Sequence, residues 1–103
     1  MPNCFSLTKK GENAPTPLVK IDEEICEHFQ AEVHPTKYHA SWFDIIGWHL
    51  AMGRDFPTIK EKLKSEFLLR EDEGDKAFYS RQYEIADFLE RHYVSDSWVQ
   101  IGK

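Results

Sequence analysis

The clearest periodic stretch of the chain lies between Ser41 and Gly53. Trp42, Ile45, Ile46, His49 and Leu50 recur at the spacing of one helical face. Phe43, Trp48 and Met52 widen that face, and only Asp44, Gly47 and Ala51 leave a small or polar side. Ser41 and Asp44 have capping-box spacing, with Asp in place of the usual Glu. Gly53 stands where a helix commonly ends in the left-handed region. A helix apolar over most of its circumference belongs in the middle of a fold. The pattern predicts a central helix over 41–53, covered by its neighbours on several sides.

Three further helical patterns accompany it. Asp22 can cap a first helix, with Glu23 and Glu24 in its first turn and Ile25, Cys26 and Phe29 on one face. His34-Pro35 ends that pattern, and 31–40 reads as a connecting loop. Asp55 can cap a third helix, with Pro57 tolerated in its first turn and Phe56, Ile59, Leu63 and Phe67 aligned. Asp75 can cap a fourth, running to about Tyr93, whose stripe is Phe78, Ile85, Ala86, Leu89 and Tyr93.

The two ends read differently. Phe5 and Leu7 alternate with polar residues over 4–9, as in a half-buried strand, and 97–101 holds a second short strand. Between the first strand and the first helix, Pro15 and Pro17 exclude helix interior and make 10–20 a loop. A lone strand leaves its backbone unsatisfied, so 4–9 should pair with 97–101, in the commoner antiparallel sense, against the helices. The expected architecture is α+β and mainly helical: about four helices around the central one (41–53), with a short strand pair from the two termini. At 103 residues, a single domain over 1–103 is expected.

Composition supports a packed core. Aromatic residues make up 14% of the chain, and each buries a large area. Apolar runs fall far short of the roughly 20 residues a membrane span needs. Met1-Pro2-Asn3-Cys4 does not read as an export signal, which points to a cytoplasmic protein with Cys4 and Cys26 as free thiols. The net charge is −5 and gathers in the C-terminal third. That disfavours broad binding to a phosphate backbone.

Candidate chemistry is sparse. His34, His39 and His49 cluster in sequence, yet no Cys-x-x-Cys and no His-x-x-x-His pair accompanies them, so no metal or other cofactor is expected. Cys26 lies among Glu24, Glu27 and His28, where acidic neighbours make a poor nucleophile. The acidic run Glu71–Asp75 fails as an EF-hand, because Ser80 stands about six residues after Gly74, where that loop needs Glu. No phosphate-cradling glycine loop or nucleophile elbow occurs. Catalysis is therefore not expected.

Three functional readings follow. The first is a small non-enzymatic binding or regulatory protein contacting another protein, or a second copy of itself as a homodimer. Its surface would comprise Trp42, Phe43, Gly47, Trp48, Ala51 and Trp98, with Gly47 and Ala51 forming a flat strip. The short length also suits an accessory protein of a virus or mobile element. The second is DNA binding by the helix pair 41–68 through Lys60, Lys62 and Lys64. Against it stands His49, four residues before the turn glycine, where a small residue is usual. The third is a metal-binding or catalytic domain using His34, His39 or His49, and His49 itself reads first as a core histidine bonded to a carbonyl or carboxylate.

Overall fold

The computed structural model describes residues 3–4, 6–30, 42–95 and 99–100. The described residues form four helices and two short antiparallel strand pairs, a mainly helical α+β fold. In chain order they are β1 (Asn3–Cys4), β2 (Leu7–Lys9), α1 (Leu18–Phe29), α2, α3 (Phe56–Leu69), α4 (Glu73–His92), β3 (Tyr93–Ser95) and β4 (Val99–Gln100). Helix α2 consists of a π-helical turn, Phe43–Gly47, running directly into the α-helical Trp48–Ala51.

The strands pair antiparallel, as expected, but in two steps. Asn3 and Cys4 face Gln100 and Val99, and Leu7, Thr8 and Lys9 face Ser95, Val94 and Tyr93. Between the steps two residues intervene on the first strand and three on the last, so the register shifts by one. The C-terminal pairing begins at Tyr93, earlier than the 97–101 expected. Tyr93 leaves the helix because its backbone turns extended directly after His92. It still enters the core, now from a strand beside Leu7. Thr8 also bridges Pro15, so part of the expected loop lies along β2.

Helix starts follow local chemistry, not always the residue the pattern favours. At α3 the expected cap forms: Asp55 Oδ1 accepts from Thr58 N at 3.0 Å. At α4 the cap is Asp72, not Asp75; its Oδ2 accepts from the Asp75 amide at 3.1 Å. Asp75 instead sits in the first turn with Glu73, where the dipole favours anions. Helix α1 begins at Leu18, one turn before Asp22, on the fixed backbone of Pro17 and with no side-chain cap. Asp22 therefore lies inside the helix, where its carboxylate accepts the indole N–H of Trp42.

The core gathers Leu7, Ile21, Ile25, Trp42, Ile46, Leu50, Phe56, Ile59, Leu63, Ile85, Ala86, Leu89 and Tyr93. Every element except β1 and β4, whose side chains are outside the description, contributes to it. The expected stripe of α4 is right at Ile85, Ala86 and Leu89, while Phe78 is only half-buried. Helix α1 docks on α4 partly through rings: His28 and Phe29 both meet Phe88, at 4.4 and 6.2 Å between centroids. Lys60 ties α3 to α4 by ion pairs with Asp87 at 2.9 Å and Glu90 at 2.8 Å. Among the described residues no helix is long and apolar enough to cross a membrane.

Candidate interaction surface

Helix α2 divides its aromatics between core and solvent. Trp42, Ile46 and Leu50 are fully enclosed, and Gly47 is buried beside them. Phe43 keeps 42% of its surface exposed, Trp48 54% and Met52 55%. The π turn helps make this split. A step of four residues overshoots one α turn but falls short of one π turn. One step of each kind keeps Trp42, Ile46 and Leu50 in line against the core.

The expected interaction residues therefore separate. Trp42 is 1% exposed and its ring nitrogen is committed to Asp22, so it anchors the helix and presents no surface. Gly47 is buried and Ala51 half-buried, so they do not make an open strip. Phe43 and Trp48 remain outward, joined by Met52, which the sequence marks only as part of the wide apolar face. Trp98, His34 and His39, the expected loop 31–40 and the cap Ser41 lie outside the described residues.

Trp48 is held in place while exposed. The Arg54 guanidinium lies 5.1 Å from the centre of its ring, within cation–π range. Arg54 Nη1 also donates to His49 Nδ1 at 3.2 Å. A guanidinium can only donate, so that imidazole nitrogen accepts and the ring is neutral. Burial pushes the His49 pKa below its ordinary value, and the charges of Arg54 and Lys62 push it the same way. His49 thus has a cationic partner in place of the carbonyl or carboxylate expected. At the start of the turn, Gly53 takes φ +86°, the left-handed conformation expected of it.

Beside Trp48 runs a groove of about 450 Å³ between α2 and α3. Ile45, Trp48 and Tyr79 give it apolar walls, with Asp44, His49, Lys62 and Glu66 around them. Both signs of charge border it, so it favours no single ionic ligand.

The other expected chemistry is dispersed. Lys60 is bound between Asp87 and Glu90, which hold its ammonium well above the usual range against the opposing effect of burial. Lys62 and Lys64 are exposed. Cys26 is buried, and burial foremost, then the charge of Asp22, pushes its thiol up. Among the described residues no three His, Cys, Asp or Glu side chains gather as a metal site.

No protein-family model matches the chain, and no curated protein or solved structure is significantly similar to it. The functional reading rests on geometry and sequence alone.

Proposed function

We propose that this is a non-catalytic binding protein that recognises another protein through the outer side of α2. One observation carries the reading: Trp48 stands half in solvent with Arg54 stacked on it and His49 fixing Arg54. Trp and Arg are the side chains most enriched among residues that dominate interface energies. An anchor already fixed in place loses little freedom on binding. Phe43 and Met52 supply apolar surface on the same short helix. The π turn supports the reading too, since such turns are rare and frequent at functional sites.

The test is capture from an extract of the native host, with the wild-type protein and Trp48→Ala side by side. A protein retained by the wild type and lost with Trp48→Ala, while circular dichroism and melting stay unchanged, is the expected result. Removing a central anchor of this kind weakens binding by about 30-fold or more. If no retained protein distinguishes the two baits, the reading fails.

A further inference from the structure

A second apolar groove lies beyond Leu63 and Tyr79, which line both grooves, and does not include Trp48. It is a cavity of about 420 Å³ between α3 and α4, walled by Leu63, Phe67, Leu68, Tyr79 and Tyr83. Leu68 is 67% exposed. The two helices form a hairpin closed at one end by the bridge from Arg70 to Glu66 and Tyr79, and at the other by Lys60 with Asp87 and Glu90. Arg70 and Lys60 also lie over the Tyr79 and Tyr83 rings, at 5.0 and 5.5 Å. The groove is thus a firm trough with tyrosines along one wall.

Its charges are arranged in a way that suits self-recognition. Lys64 belongs to the α3 wall and Glu84 to the α4 wall of the same groove, and both are exposed. Two such hairpins can pack face to face about a two-fold axis parallel to their helices. The α3 of one copy then lies on the α4 of the other, with heights along the helices preserved. Lys64 of each copy meets Glu84 of the other, twice by symmetry. The exposed Leu68 side chains and the tyrosines fill the space between, as in the core of a four-helix bundle.

We propose that the α3–α4 groove is the contact through which two copies of this chain form a dimer, a four-helix bundle made from two hairpins. This goes beyond the partner-binding reading, since it uses different helices and leaves Trp48 outward. It also moves any self-association away from Gly47 and Ala51, which are not open to a partner.

The test is sedimentation velocity on the full chain from micromolar to submillimolar concentration, with a melting curve for every variant. The wild type is expected to dimerise. Lys64→Glu and Glu84→Lys should each weaken the dimer about tenfold or more, because each sets like charges together at two symmetric places. The double reversal should restore it, and Leu68→Glu should abolish it. A wild type that stays monomeric throughout overturns the proposal. So does a dimer indifferent to Leu68→Glu and to both reversals, because its contact lies elsewhere. A monomer whose groove instead takes up an added basic amphipathic peptide also overturns it, assigning the groove to a foreign helix.

Discussion

Tyr93 donates its phenolic hydrogen to Glu24 Oε1 at 2.6 Å, across 69 residues of chain. The second carboxylate oxygen accepts from Lys9 Nζ at 2.9 Å. One acidic side chain of α1 therefore joins the first and last core strands to the helical layer. Burial alone would raise the Glu24 pKa, but the two hydrogen bonds outweigh it and hold the carboxyl below its usual value.

A carboxylate depressed in the folded state adds stability that is present above its unfolded pKa. That contribution is lost as pH falls through the lower folded value. Glu24→Gln should cost about 1.5–3 kcal/mol at pH 7, the range for hydrogen bonds to a charged group. In acid the wild-type carboxyl becomes neutral as well, so the gap should narrow. Urea unfolding of both proteins at neutral and strongly acidic pH measures it. A gap that does not change with pH would contradict this account.

Tyr93 makes the opposite prediction in alkali. Burial foremost, then the hydrogen bond to Glu24, raises its pKa in the folded protein. Its contribution is fully present below the unfolded value, near 10, and fades as pH rises beyond it. Stability should fall more steeply with pH above about 10 in the wild type than in Tyr93→Phe. Melting temperatures across that range give the comparison.

The tryptophans of α2 should respond very differently to replacement. Trp42→Phe keeps an enclosed ring but removes the donor to Asp22, at about 1–2 kcal/mol. Trp42→Ala leaves a cavity and should cost about 3–5 kcal/mol. Trp48→Ala removes an exposed ring and one cation–π contact, so its cost should stay within about 1 kcal/mol. Chemical denaturation of the three variants checks the order. Equal losses at positions 42 and 48 would contradict the division of the helix.

His49 offers a local readout. Its imidazole should titrate below the usual value for histidine in the folded protein, first from burial and then from Arg54 and Lys62. Arg54→Met removes one of those charges and should raise the pKa without restoring it fully. A base depressed in the folded state stabilises above its unfolded pKa, about 6.5, and that support is lost as pH falls. Nuclear magnetic resonance of the imidazole across mildly acidic pH follows both effects.

The sequence pattern anticipated most of the scaffold where one local rule decides. Asp55 caps α3 and Gly53 ends α2 through short-range chemistry, and the terminal strands pair antiparallel because each satisfies the other's backbone. The pattern failed where a distant group intervened. Asp22 has the sequence of a cap, but α1 starts a turn earlier after Pro17, and the Asp22 carboxylate meets an indole 20 residues away. Tyr93 continues the periodicity of α4, yet pairing with Lys9 draws it into a strand. Gln30 ends α1 with φ +54°, which no glycine announces. At the candidate surface, Phe43 and Trp48 were expected outward and are, while Trp42 and Gly47 are not. The helical period cannot show a π turn, because the widening changes which positions align without changing the residue types. Arg54 was invisible as the support of Trp48 and His49, since it lies in the turn beyond the periodic stretch.

Asn3 hydrogen-bonds beside Gln100 on neighbouring strands. Neither strand can leave this pairing alone, so β1 and β4 should open together and exchange their amide hydrogens as one unit.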